Sequence, residues 1–146
     1  MIEEYQKGEF LLSSDPEKID LNKIHLYLSK HSYWAQNIQI DLVRRSINNS
    51  LCFGLFHGDE QIGLTRLITD KATFAYLADI YVLDEYQGKG LGTWMIKTII
   101  KSSELQGIRR WQLITRNAQK FYLKFGFKSI EEPERHMTRK FHVDYG

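Results

Sequence analysis

The spacing of apolar positions changes several times along the chain, and each change marks an element. "EFLLSSD" (9–15) reads as a short first strand. "DLNKIHLYLSKHSYW" (20–34) sets Leu21, Ile24, Leu26, Tyr27 and Leu28 on one helical face, with Asp20 as the N-cap. "QIDLVRRSINNS" (39–50) repeats the helical period through Ile40, Leu42, Val43 and Ile47. The period then shortens. "LCFGLFHGDEQIGLTRLIT" (51–69) holds two strand-like runs around "HGDE", which predicts a hairpin. "ATFAYLADIYVL" (72–83) is a third run, and the three form an antiparallel meander. After a glycine-rich stretch, Leu91, Trp94, Met95, Thr98, Ile99 and Ile100 define one face of a helix over 90–104, with Lys97 and Lys101 pointing away. "GIRRWQLIT" (107–115) is a further strand, and "NAQKFYLKFGF" (117–127) a short amphipathic helix closed by Gly126. A last strand is expected near 136–143.

The predicted order is β-α-α-β-β-β-α-β-α-β. A crossover from strand 72–83 through the helix to strand 107–115 leaves those two strands parallel. The expected architecture is a mixed, mostly antiparallel sheet of about 6–7 strands with about four helices on both faces, an α/β (α+β) arrangement. With 146 residues and no linker or repeat, the chain is expected to form a single domain over 1–146.

Composition removes several function classes. Apolar residues make up 42% and charged residues 26%, a globular balance. The net charge of +2 comes from interleaved acids and bases, so no basic stripe predicts nucleic-acid binding; "RKFH" and "GIRRW" are too short for one. Cys52 is the single cysteine, set in an apolar run, and reads as a small buried hydrophobe. The five histidines lack metal-ligand spacing, and no metal is expected. No apolar stretch approaches the ~18 residues of a membrane span, and "MIEEYQKGEF" has no apolar signal core. No membrane partner is expected, and the expected location is the cytoplasm.

The stretch "YVLDEYQGKGLGTW" (81–94) carries the chemistry. A strand runs into three alternate glycines, Gly88, Gly90 and Gly92, and a helix opens directly after them. Free amides of a first helical turn attract anions, and bare glycine backbone lets a phosphate come close. Lys89 adds a mobile positive charge. The dinucleotide pattern G-x-G-x-x-G fails, because Thr93 stands at its third glycine, and the P-loop pattern G-x-x-x-x-G-K-[ST] fails as well.

"QGKGLG" (87–92) resembles the Gln/Arg-x-x-Gly-x-Gly/Ala signature of the GCN5-related N-acetyltransferase (GNAT) superfamily, with Gln87, Gly90 and Gly92 at its defining positions. "NAQKFYLKFGF" is similar to the family's Asn-x-x-x-x-x-Tyr-x-x-x-Gly-Phe segment through Asn117, Tyr122, Gly126 and Phe127. The resemblance covers residues 50 to 140 and implies a GNAT-like fold. It implies acetyl-CoA as cosubstrate, with its pyrophosphate on Gln87, Gly88, Lys89, Gly90, Leu91, Gly92 and Thr93. The pantetheine arm would lie along Ile80, Tyr81 and Val82, pairing with the Ile80 and Val82 backbone. The implied activity is transfer of acetyl from acetyl-CoA to a primary amine by direct attack in a ternary complex, the acceptor being a small molecule. Acetylation of a protein N-terminus or lysine, and a non-catalytic CoA-binding sensor, remain as alternatives. A homodimer is expected from the same resemblance.

Tyr122 matches the family's general acid, and a phenol with an ordinary pKa near 10 is protonated at neutral pH. Asn117 would bind the coenzyme or cap its own helix. An oxyanion donor is expected from a backbone N–H near Val82. Some family members carry a glutamate on the strand before the glycines. Here that position holds Ala78, with Tyr76 at a neighbouring one, and Asp79 is the run's one carboxylate. Asp79 is thus a candidate base or amine-binding group, although strand alternation sets it opposite Ala78 and Ile80; a water relay or a neutral amine would need no base. Tyr33, Trp34, Arg66 and Tyr76 are candidate acceptor residues. Tyr33 and Trp34, at the end of the first helix, would wall the pocket or seat the helix. Arg66 would clamp a substrate carboxylate if turned inward, with an outward surface charge the favoured alternative, and Arg116 is a similar candidate.

Overall fold

The computed structural model describes residues 1–141 and Tyr145. Among the described residues, six strands form one sheet in sequential order: β1 (Glu4–Lys7), β2 (Phe10–Ser13), β3 (Leu51–His57), β4 (Glu60–Thr69), β5 (Phe74–Val82) and β6 (Arg110–Leu113). Every neighbouring pair is antiparallel except β5 and β6, which run parallel as the crossover requires. The helices are α1 (Leu21–Lys30), α2 (Ile40–Asn48), α3 (Leu91–Ile100) and α4 (Gln119–Leu123).

Alternation along the strands separates two cores. Leu12, Phe53, Leu55, Leu67, Ala75 and Leu77 face one side and pack with Leu91, Met95 and Ile99 of α3. Cys52, Leu64 and Tyr81 face the other and pack with Ile24 and Leu28 of α1 and Val43 of α2. Each fully buried Leu, Ile or Met among them stabilises the fold by about 1.5–3 kcal/mol, so helices cover both faces as the patterning predicted.

Four elements differ from the sequence expectation. Strand β1 was not foreseen. It is an edge strand, exposed at most of its positions, and its polar residues leave no apolar alternation to detect. Its hairpin to β2 turns at Gly8, which has φ 58°. Helix α1 stops at Lys30 rather than continuing to 34. Ser32 draws the chain off the helix: its hydroxyl donates to the Leu28 carbonyl (2.7 Å) and accepts from the Ala35 N–H (3.0 Å). Tyr33 and Trp34 therefore lie in the α1–α2 loop. Asp20 does cap α1, accepting from the Lys23 N–H at 3.1 Å. Helix α4 has only five residues. Finally, residues 136–141 form no strand, and 142 and 143 lie outside the described residues.

No helix among the described residues is long and apolar enough to cross a membrane. Nor do three or more His, Cys, Asp or Glu side chains gather there in a way that could hold a metal ion.

Candidate active site

Strand β5 changes character halfway along. Its pairing with β6 ends at Leu77 and Leu113. One residue later the register with β4 slips: Leu67 opposes Leu77 but Arg66 opposes Asp79, which leaves Ala78 as a bulge. Beyond the bulge, no strand among the described residues pairs with 78–82 on the β6 side. The Leu83 N–H bonds the Ile62 carbonyl of β4 at 2.8 Å. Strand alternation therefore points the polar backbone of Tyr81 toward β4 and that of Ile80 and Val82 into the open edge. The Val82 carbonyl accepts from the Gln87 amide at 2.9 Å, so its N–H is what Val82 offers there. Tyr81 turns away in both respects. Its ring is buried on the α1 face, stacked on Tyr27 at 3.8 Å, and burial pushes its phenol pKa up.

The open edge leads into the start of α3. Gly88 and Gly90 have φ 80° and 77°, a left-handed backbone that favours glycine, and an added Cβ would meet nothing within 4 Å at either. The glycines thus serve backbone conformation and leave the space before them clear. The first intrahelical bond runs from the Trp94 N–H to the Gly90 carbonyl, and no side chain caps the helix. The amides of Leu91, Gly92 and Thr93 remain for a ligand. Leu91 itself is buried in the α3 core, so its contribution here is its N–H.

Helix α4 packs beside this helix start. A Cβ on Gly92 would stand 3.6 Å from the Phe121 ring. Lys124 donates to the Thr93 hydroxyl at 3.1 Å, and its ammonium lies 4.7 Å over Phe121. A cation at a helix N-terminus opposes the macrodipole. Lys124 and the exposed Lys89 therefore make a local positive excess that an anion would relieve. The sequence reading missed Lys124 and Phe121. A lysine on an amphipathic helix looks like any solvated charge until the fold brings it to the glycine loop.

Tyr122 is buried on α4, edge-on to Phe121 and Phe127. Burial, with the neighbouring Tyr33 phenol adding to it, pushes its pKa up to about 12, so it holds its proton across the physiological range. Asn117 does not cap the helix: the N-cap is Ala118, whose N–H bonds the Thr115 hydroxyl at 3.1 Å. Asn117 is exposed beside it.

On the α1–α2 side, the two loop aromatics bridge the splayed strands. Trp34 donates its indole N–H to Asp79 of β5 at 2.7 Å. The Tyr33 hydroxyl accepts from the backbone N–H of Arg116, just beyond β6, at 3.0 Å, and the Arg116 guanidinium sits 3.9 Å over the Tyr33 ring. Asp79 is buried, and its second oxygen accepts from Arg66 at 2.6 Å. Arg66 also donates to Ser50 at 3.0 Å. Arg66 thus points inward, contrary to the surface placement favoured from sequence, but its guanidinium is engaged by Asp79 and Ser50 rather than open to a ligand. Asp79 thus has each of its oxygens engaged, one by Trp34 and one by Arg66. Tyr76, half-buried before the bulge, has its pKa raised by burial, with Arg66 opposing the shift.

Residues 48–129 match the family model described as an acetyltransferase (GNAT) domain. A Gibberella zeae protein provisionally named an acetyltransferase is 33% identical over 151 residues, spanning 88% of this chain and 84% of the relative. A solved structure from Xanthomonas campestris pv. campestris, provisionally assigned to the GNAT family, is 38% identical. It superposes with a TM-score of 0.89 over 93% of this chain and 96% of its own. A GNAT family acetyltransferase from Elizabethkingia anophelis, solved with acetyl-CoA bound, shares the fold at 15% identity, with a TM-score of 0.59 over 99% of this chain and 89% of its own.

Proposed function

Since the chain belongs to the GNAT acetyltransferase family, we propose that it transfers the acetyl group of acetyl-CoA to a primary amine of a small molecule, with both substrates bound at once. The observation that carries this reading is the open edge of β5 running into the uncapped start of α3. The residues fit the coenzyme. Ile80 and Val82 offer backbone groups to an extended amide-bearing arm, as an added strand would require. The amides of Leu91, Gly92 and Thr93, with Lys89 and Lys124, suit a pyrophosphate. Gln87 fixes the turn between them by bonding Val82 and Asp84.

In the proposed reaction the amine nitrogen attacks the thioester carbonyl carbon; a C–N bond forms and the C–S bond breaks. A backbone N–H of the open β5 edge near Val82, that of Ile80, donates to the oxygen on which charge develops, while the Val82 N–H pairs with the arm. Tyr122 gives its proton to the departing sulfur. The amine's proton leaves through water and restores the phenol, because Asp79 is tied to Arg66 and Trp34. Asp79 acts instead by holding Trp34, and with it the loop that walls the acceptor pocket. That loop spans the gap between β5 and the segment after β6, and a cleft bridged in this way favours a compact acceptor over a polypeptide.

Thermal unfolding tests the coenzyme site. A ligand at 100 times its dissociation constant adds about 2.7 kcal/mol, which raises the midpoint by roughly 5–10 °C in a domain of this size. Acetyl-CoA and CoA at about 1 mM are expected to produce such a shift, and NAD or ATP little of it. No shift with either coenzyme overturns the reading.

A further inference from the structure

The charges around the acceptor side are unevenly used. The carboxylate of Asp79 is neutralised by Arg66 within a buried pair. Arg116 differs. It is exposed just beyond β6, and among the described residues its side chain has neither an acidic partner nor a hydrogen bond. Its position is nevertheless fixed twice. Its backbone N–H is bonded to the Tyr33 hydroxyl at 3.0 Å, and its guanidinium rests 3.9 Å over the Tyr33 ring. Contact with a ring face orients a guanidinium without consuming its N–H donors. Tyr33 in turn neighbours Tyr122, the proposed proton donor. A pre-positioned guanidinium with free donors, held on the tyrosine whose phenol acts on Tyr122, suits a planar anion.

Resting on the acetyltransferase reading above, we infer that the acceptor amine carries a carboxylate, and that Arg116 binds it while the amine reaches the thioester. A purely cationic acceptor such as a polyamine would meet Arg116 with no free carboxylate to offset the repulsion.

The test measures CoA release with matched acceptors: glycine against glycinamide, L-phenylalanine against L-phenylalaninamide, and spermidine. The readout is the carboxylate-to-amide ratio of kcat/KM in the wild type, in Arg116→Gln and in Arg116→Lys. Differences in amine basicity cancel when the ratio is compared between proteins. Arg116→Gln is expected to lower the ratio by about 10- to 100-fold, the worth of a charge-assisted pair, through KM. Arg116→Lys is expected to restore part of it. A role confined to holding Tyr33 would depress both members of each pair alike and leave the ratio unchanged, which overturns the inference. So does a wild type that acetylates spermidine or the amides and no carboxylate-bearing amine. If acetyl-CoA binds by thermal shift and none of these amines is acetylated, the carboxylate inference fails while the coenzyme site stands. If acetyl-CoA does not bind, the reading beneath it fails too.

Discussion

Replacing Asp79 by Asn separates the two roles a carboxylate can have beside the β5 bulge. In the structure Asp79 accepts from Arg66 at 2.6 Å and from Trp34 at 2.7 Å, and the Arg66 and Asp79 side chains are 15% and 9% exposed. Asn keeps the shape and an oxygen for Trp34 but removes the charge, stranding a mostly buried guanidinium. Losing one partner of such a pair costs about 3–5 kcal/mol. At about 2–4 °C per kcal/mol for a domain this long, the midpoint should fall by roughly 6–20 °C. Removing the stranded charge as well, in Arg66→Met/Asp79→Asn, should recover most of that loss, because the desolvation cost disappears with the ion. Thermal unfolding of the wild type, both single variants and the double variant closes the cycle. Acetylation by the double variant should fall by no more than about tenfold, since loss of a general base costs about 10²–10⁴. A folded Asp79→Asn protein with an unchanged midpoint and a hundredfold or greater loss of turnover would refute the reasoning and make Asp79 the proton acceptor.

Tyr122→Phe should lower kcat by about 10²-fold or more while leaving acetyl-CoA affinity within a few-fold, measured by steady-state kinetics and calorimetry. Because the Tyr122 pKa is pushed up to about 12, this phenol stays protonated as pH rises through the neutral range, and the rate should show no descending limb from it below about pH 11. Gly90→Ala should cost about 1–2 kcal/mol of stability and weaken coenzyme binding, since Gly90 has φ 77°; Gly92→Ala, whose Cβ makes ordinary contact with Phe121, should leave stability nearly intact. Lys124→Met should weaken CoA binding by about fivefold and flatten its salt dependence; equal salt slopes in titrations of the two proteins would remove Lys124 from the anion site.

The stretch from 51 to 100 was legible because each of its signals is local. A strand buried on alternate faces needs period-two apolar residues, and a helix on a sheet needs its stripe. A left-handed turn ahead of a helix favours glycine, so the order of residues alone locates the hairpin, β5 and the Gly88–Gly90 turn. The parallel placement of β5 and β6 followed as well, since a helical crossover in one sheet permits little else. Strand β1 escaped because an edge strand has little to bury, and α1 appeared too long because Ser32 ends it through its hydroxyl rather than through a change in apolar spacing.

The uses of the polar residues were decided only by the folded chain. Asp79 and Arg66 lie 13 positions apart in sequence, as candidate base and candidate clamp, yet the β4–β5 register makes them partners. Trp34 reaches Asp79 across 45 positions, Tyr33 meets Arg116 across 83, and Lys124 reaches Thr93 across 31. Apolar burial obeys a periodicity written along the chain. A hydrogen bond or an ion pair depends on angstrom-scale proximity between segments whose separation in sequence carries no such signal, so the sequence determined the scaffold and the glycine turn, and the tertiary structure decided which charges remain free to meet a ligand.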